Sequence, residues 1–314
     1  MRVYEGYSGL ADDARGAVIA LGNFDGVHSG HRAVLDQARD LARDLGAPLG
    51  VALFQPHPRR FFAPDSAPFK LMSHGWRNEK LAAAGAAAVY ALPFDAGMAS
   101  MSPQAFVDTV LHAGLGIRGV VTGADFRFGK GRAGDADQLE ALCAARGITA
   151  RRAELFTDSE EKVSSSRIRQ ALAAGEVDQA ALWLDGPWRV EGEVRHGDKR
   201  GRTIGFPTAN VLLGEYTRPA KGVYAVRVAL PGETIQRPGV ANFGVRPTVD
   251  GSEERLEVHL FDFDGDIYGQ TITIAFEAFL REERKFADFA ALKLQIEADA
   301  DAARQMLSAT AGPA

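Results

Sequence analysis

His28 and His31 stand three residues apart in "GNFDGVHSGH", residues 22–31, between the apolar run "AVIAL" and the amphipathic stretch "RAVLDQARDLARDLG". Imidazole is the side chain whose charge and hydrogen-bonding roles change most readily near neutral pH. A pair of them where a strand gives way to a helix has three readings. A zinc site of the helical metalloprotease kind needs histidines four apart with a glutamate between them, and "HSGH" has neither. A polar helix start, its histidines capping or facing solvent, is the plain structural reading. The third is phosphate chemistry. Strand, glycine-bearing turn and helix aim free backbone N–H groups and the positive helix end at one spot. Gly22, Gly26 and Gly30 would let the main chain approach a ligand, and the histidines could donate to phosphate oxygens as charge builds in a displacement.

Three more segments carry candidate groups. "VSSSRIRQAL", residues 163–172, reads at least as a serine-rich N-cap before a helix. "HGDKRGRTIGFPTANV", residues 196–211, gathers Lys199, Arg200 and Arg202 into a positive cluster, while Thr208 and Asn210 offer oxygens of the kind Mg²⁺ accepts; a surface loop is the alternative. In "RLEVHLFDF", strand alternation puts Leu256, Val258 and Leu260 on one face and Glu257 on the other with His259 and Phe261, so the carboxylate can project into a site or simply lie at the surface.

Other motifs fail. "GADFRFGKG" has the wrong glycine spacing for a phosphate-binding P-loop and a glycine where serine or threonine is needed. "DFDGDIYGQTIT" starts like a calcium loop but has Ile267 at the glycine position and Thr273 at the last, so Asp264-Gly265 reads as a hairpin turn. Protein-kinase triplets are absent.

These groups need elements to position them. From residue 17 to about 185, "AVIAL", "LGVALF", "AAVYAL" and "GVVTG" alternate with longer helical or polar stretches, the rhythm of a parallel sheet with crossover helices. Val34, Ala38, Leu41 and Leu45 form one apolar face of a helix starting near Ser29 to His31. Beyond "WLDGPWRV", the segments "WRVEGEVRHG", "GVYAVRVAL", "RLEVHLFDF" and "IYGQTITIAFEAFL" alternate with period two between glycine turns, which predicts an antiparallel barrel or sandwich. Residues 286–307 return to helix, with Phe289, Leu292 and Ile296 on one face. The turn dipeptide Gly186-Pro187 marks the expected boundary between domains 1–186 and 187–314.

Composition sets the outer limits. At 314 residues the chain has room for two domains. A net charge of −5 and no basic tract argue against nucleic acid, so any anionic ligand must be held by local groups. The lone Cys143 excludes an internal disulfide and a CxxC metal site, which fits a reducing compartment such as the cytoplasm. No signal peptide and no apolar stretch near the ~20 residues of a membrane span are evident, so the expectation is a soluble, cytoplasmic protein.

"GNFDGVHSGH" resembles the HxGH signature of nucleotidylyl transferases, and "VSSSRIRQAL" resembles their second signature, ISSTxIR, with Val163 for isoleucine and Ser166 for threonine. The resemblance implies a Rossmann-like parallel sheet. It also implies ATP binding by Gly22, Asn23, Phe24, His28, His31, Ser165, Ser166 and Arg169, the last as a charged fork for phosphate. The "PTAN" segment, "GVANFGVRPTVDG" and "LEVHLFDFDGDIYG" are similar to the flavokinase signature. That likeness implies a β-barrel with a terminal helix, Gly205, Pro207, Thr208 and Asn210 on Mg²⁺ and ATP, Glu257 as the base on the ribityl hydroxyl, and Arg281 near the flavin. The order of the halves resembles the prokaryotic family that joins riboflavin kinase to FAD synthetase. "FQPHPRRFF" and "TGADFRFGKGRAGD" look like its N-terminal loops, which implies FMN contacts for Asp125 and Arg127, although many relatives carry asparagine at position 125. The expected chemistry is phosphorylation of riboflavin to FMN by the second half and adenylylation of FMN to FAD by the first, with Mg²⁺ and with ATP as co-substrate. A non-catalytic flavin sensor would call for a basic recognition helix, and none is present.

Overall fold

The protein is described by a computed structural model that covers residues 1–153, 163–197, 205–233, 235–248 and 251–309; Lys199, Arg200 and Arg202 lie outside these ranges. Packing divides the chain into two units, Met1–Ser66 with His74–Ser164, and Ala67–Ser73 with Ser165–Ala314.

The first unit alternates strand and helix: β1 (Arg2–Glu5), β2 (Val18–Leu21), α1 (Ser29–Asp44), β3 (Leu49–Gln55), α2 (Pro58–Phe62), α3 (His74–Ala83), β4 (Ala88–Pro93), α4 (Ala96–Ser100), α5 (Pro103–Ala105), β5 (Gly119–Gly123), α6 (Ala136–Ala144) and β6 (Thr149–Ala153). Helix α5 runs on as a π-helix, Phe106–Gly114. The six strands are parallel in the order β1-β4-β3-β2-β5-β6. Strands β2 to β5 follow the four apolar runs of the sequence because each is covered on both faces, which strips out alternation. The edge strands β1 and β6 were not expected. "RVYE" and "TARRA" bury little and carry no apolar run to reveal them. In α1, Val34, Ala38 and Leu41 are buried as the periodicity requires, while Leu45 caps the C-terminus half-exposed.

The second unit starts with α7 (Ser165–Ala173) and α8 (Val177–Leu184) and continues with β7 (Trp188–Arg195), β8 (Ala209–Val211), β9 (Gly222–Ala229), β10 (Gln236–Thr248), β11 (Gly251–Leu260), β12 (Thr271–Glu282) and α9 (Phe289–Ala309). The strands close into a barrel in the order β10-β11-β8-β7-β12-β9. Helix α8 buries Val177, Ala180 and Leu184 and packs on β7 and β12. Compact packing therefore parts the chain at Ser164/Ser165, whereas Gly186-Pro187 is where helix gives way to barrel.

Two expectations need correction here. Asp264-Gly265 is not a hairpin turn: β11 pairs with β10 and β8 while β12 pairs with β7 and β9, so the connection crosses to another part of the barrel. Phe289 is 58% exposed; the buried residues of α9 lie later, where Ala300, Ala303 and Leu307 pack with Val223, Ala225, Val240 and Phe261.

Candidate functional sites

In the parallel sheet, β3 lies on one side of β2 and β5 on the other, so the chain reverses its direction of winding at β2. Ligands of open α/β sheets bind outside the carboxyl ends of the strands at such a switch point. The segment that leaves β2 there is the histidine loop. Gly22 N–H still donates to Ala52 O at 3.1 Å, which prolongs the ladder to β3. Phe24 (φ 53°) and Val27 (φ 41°) then take left-handed backbone conformations, with Gly26 (φ 104°) between them. A non-glycine residue in that region costs about 1–3 kcal/mol. Burial offsets it, since Phe24 is 1% and Val27 3% exposed. The outcome is a tight loop held by its own apolar side chains.

That loop delivers His28 as the N-cap residue of α1 with extended backbone (φ −73°, ψ 176°) and no capping bond from its side chain. One turn on, His31 stacks on it with ring centroids 3.8 Å apart and planes at 22°, while Phe24 lies 5.1 Å from His31 on another side. Both Nδ1 atoms are buried. The reading of these histidines as mere solvent-facing caps does not fit: His28 is 6% exposed and caps nothing with its ring. Gly30 sits between them, where a Cβ would stand 3.2 Å from His28 Cε1 and 3.3 Å from the carbonyl oxygen of Val163. Val163 opens the second motif, so the start of that motif is held beside the histidine helix. Asn23 Oδ1 is buried without a hydrogen-bond partner among the described residues, an acceptor that a ligand donor could satisfy.

Asp125 and Arg127 follow β5 at the same carboxyl end. Both are exposed, and Arg127 Nη1 pairs with Asp135 at 3.2 Å. Between and beside them runs an aromatic chain. Phe126 stacks on Phe128 (5.7 Å, 16°), Phe128 meets Phe106, Phe106 meets Phe54 at the end of β3, and Phe54 meets Phe94, which also contacts Phe61 and Phe62 of α2. Phe54, Phe61 and Phe62 come from "FQPHPRRFF", and the cluster joins them to Phe94 and Phe126 beyond two other strand ends, a gathering that residues so far apart in the chain do not reveal. Arg77 on α3 went unnoticed altogether. Burial lowers its pKa, and the charge of Asp25 in the histidine loop works against that. Nothing in a helical stretch such as "HGWRNEKLAA" distinguishes it.

Ser165, Ser166 and Arg169 belong to the second unit, in the first turns of α7. Ser166 is exposed, while Arg169 Nε donates to Phe69 O at 2.6 Å.

On the barrel, Asn210 of β8 is directly opposite Glu257 of β11, and the same cross-strand row includes Asn242 of β10 and Arg195 of β7. Opposed residues share a face, so pairing gathers polar groups that lie far apart in the chain. Neither Asn242 nor Arg195 stood out in the sequence. Leu256, Val258 and Leu260 fill the barrel core as expected, with Glu257 half-buried on the other face. Farther along that face α9 covers Val240 and Phe261. Asn210 is 6% exposed; its Nδ2 donates to Thr208 O at 3.4 Å and its Oδ1 accepts from Arg255 Nη1 at 3.5 Å. Thr208 is half-buried and Gly205 and Pro207 are exposed. His259 Nδ1 bonds Pro207 O at 2.8 Å and so ties this segment to β11; burial lowers the His259 pKa, which favours the neutral ring. Arg281 grips α9: its Nε and Nη2 donate to Asp299 at 2.9 and 2.7 Å, and Gln295 donates to the same carboxylate at 2.7 Å.

Asn210 and Glu257, opposite one another, and Thr208, two residues before Asn210, offer an amide, a carboxylate and a hydroxyl oxygen, hard donors of the kind Mg²⁺ accepts. Among the described residues no group of three or more His, Cys, Asp or Glu could hold a metal alone, and no helix is long and apolar enough to cross a membrane.

Comparison with known proteins agrees with both halves. The family profile described as FAD synthetase matches residues 10–167, and the one described as riboflavin kinase matches residues 184–307. The bifunctional riboflavin kinase/FMN adenylyltransferase of Pseudomonas fluorescens is 42% identical over 99% of both chains. That of Escherichia coli (strain K12) is 40% identical over 99% of both. A crystal structure of a macrolide-efflux protein from Streptococcus pneumoniae is 32% identical, with a TM-score of 0.84 over 97% of this chain and 99% of that one.

Proposed function

The chain belongs to the family of bifunctional riboflavin kinase/FMN adenylyltransferases, and from that premise we propose which residues carry each reaction. Its second half moves the γ-phosphate of ATP to riboflavin and makes FMN; its first half joins FMN to the adenylyl group of ATP, with release of pyrophosphate, and makes FAD.

For adenylyl transfer, an FMN phosphate oxygen attacks the α-phosphorus of ATP and the bond to pyrophosphate breaks. We assign His28 and His31 to the negative charge that builds on the phosphate oxygens in between. Removing one such donor costs about 3–4 kcal/mol of barrier where it is preorganised. The stacked pair at the carboxyl end of the central strand is the observation that carries this assignment. Gly22, Asn23 and Phe24 form the nucleotide side of the loop, supported by the buried, unsatisfied Asn23 acceptor. Ser165, Ser166 and Arg169 hold ATP phosphates. Asp125 and Arg127 hold FMN, whose flat apolar ring suits the phenylalanine chain beside them.

For phosphorylation, Glu257 takes the proton of the riboflavin 5′-hydroxyl as its oxygen attacks the γ-phosphorus and ADP leaves. The cross-strand pairing of Glu257 with Asn210 carries this reading. Thr208 and Asn210 hold Mg²⁺ with ATP, and Gly205 and Pro207 shape the same segment. Mg²⁺ supplies charge neutralisation of the phosphates when bound. Arg281 belongs to the flavin side of the site, where it holds α9 through Asp299.

We set the functional boundary at 186/187, supported by the sharp turn there, Asp185 (φ 57°) followed by Gly186 (φ 126°). Riboflavin, FMN, FAD and ATP are the proposed partners, without nucleic acid or membrane, and the cytoplasm the proposed location.

The test is separation of function. Purified protein is incubated with riboflavin, ATP and Mg²⁺ and the flavins are separated by chromatography. His31→Ala should accumulate FMN, and Glu257→Ala should leave riboflavin untouched while still converting supplied FMN. Equal loss of both conversions in a folded variant would refute the division of labour.

A further inference from the structure

Residues Ala67–Ser73 lie between α2 and α3 in the chain, yet they are built into the second unit. Lys70 N–H donates to Glu215 O and Thr217 N–H donates to Lys70 O, both at 2.9 Å. The Trp188 indole N–H donates to Leu71 O at 2.8 Å, and the Ser73 hydroxyl to Glu191 Oε1 at 2.6 Å. Leu71 and Met72 are 0% and 2% exposed, so this strap is buried as well as bonded. Strand β7 and the turn before β9 therefore clamp it along its length.

Phe69 in the strap meets Arg169 twice. Its carbonyl accepts from Arg169 Nε at 2.6 Å, and its ring lies 5.5 Å from the guanidinium carbon. The hydrogen bond fixes the Nε edge and the ring restricts the guanidinium plane, which together set where the outer fork points. The carbonyl is main chain and any residue would offer it, so the ring contact is what phenylalanine adds.

We propose that Phe69 is a positioning residue for adenylyl transfer: the strap, clamped by the kinase barrel, holds the Arg169 guanidinium in the orientation that meets the phosphates of ATP. This rests on the reading of Arg169 as a phosphate ligand. It follows that barrel residues assigned to neither transfer step contribute to FAD formation.

The full-length protein is assayed for FMN to FAD and for riboflavin to FMN as wild type, Phe69→Leu, Phe69→Tyr, Arg169→Ala and the Phe69→Leu/Arg169→Ala double variant, with thermal melts to confirm folding. Leucine keeps the buried bulk and loses the ring face; tyrosine restores the ring. Phe69→Leu should raise the KM for ATP in FAD formation about 5- to 10-fold with little change in kcat, Phe69→Tyr should restore it, and riboflavin phosphorylation should hold its constants in both. The double variant should be no worse than Arg169→Ala, because the strap acts through that arginine. Trp188→Phe, which removes the indole donor to Leu71, should shift the same KM in the same direction. If Arg169→Ala raises the KM while Phe69→Leu stays within about twofold of wild type, or if the two effects multiply, the positioning role is overturned and the reading of Arg169 stands. If Arg169→Ala leaves the KM unchanged, the phosphate reading itself fails. A Trp188→Phe protein with unaltered KM would remove the barrel from the proposal.

Discussion

Gly30→Ala separates geometry from stability. Gly30 is the second residue of α1, and an added Cβ would stand 3.2 Å from His28 Cε1, 3.3 Å from His28 Nδ1 and 3.3 Å from Val163 O. These separations are a few tenths of an ångström tighter than ordinary contact. The Val163 oxygen is main chain, so the His28 ring is the part that turns, and its 3.8 Å stack on His31 opens. Helix propensity works the other way, since alanine gains about 1 kcal/mol over glycine inside a helix. Overpacking of this size costs a comparable amount, which leaves the net stability within about 1 kcal/mol of wild type. Catalysis has no such compensation. A misplacement of about 1 Å costs on the order of a hundredfold, so a shift of a few tenths should cost about tenfold in kcat for FAD formation, or about 1.4 kcal/mol of barrier. The measurement is the rate of FAD formation from FMN and ATP, with riboflavin phosphorylation and a thermal melt on the same sample. FAD formation within about twofold of wild type would refute the argument that the histidine pair needs this spacing. A parallel fall in both activities would refute it too, by pointing to a damaged fold.

The other predictions concern stability and reactivity. Asp299→Ala leaves the Arg281 guanidinium, itself only 20% exposed, without its carboxylate, and should destabilise the second unit by about 3 kcal/mol in a urea melt; a loss below about 1 kcal/mol would mean that the pair does not hold α9. Cys143 is buried and burial pushes its thiol up to about 12 from 9.0, so the folded protein should give no thiol reactive with a chromogenic disulfide at pH 8, and one after denaturation. The shift also sets a sign. Between pH 9 and about 12 the unfolded chain ionises while the folded one does not, so this group lowers stability as pH rises through that window. Cys143→Ala should flatten that limb of the pH–stability curve.

The histidine motif, the four inner strands of the parallel sheet and the alternation that sets Glu257 apart from Leu256 and Val258 could all be read from the chain, since each depends on residues close in sequence whose spacing reports local burial. Strand β10 escaped notice because Pro238, Gly239, Gly244 and Pro247 interrupt any period, although it is paired along both edges in the barrel. The turn expected at Asp264-Gly265 failed for a related reason: a turn dipeptide shows that the chain can reverse, not which strand it will join.

The amino-acid sequence by itself determined which groups are chemically able to act and which face of each element is apolar. Only the tertiary structure decided that His28 stacks on His31 with Val163 close by, that Asn210 pairs across from Glu257, that Arg281 is held by Asp299, and that residues 67–73 pack with the barrel and offer the Phe69 carbonyl to Arg169. Periodicity is a local quantity, whereas the partner that satisfies a buried carbonyl or guanidinium is chosen by the closure of loops of any length, whose entropic cost grows only slowly with the residues between and leaves no mark on the sequence.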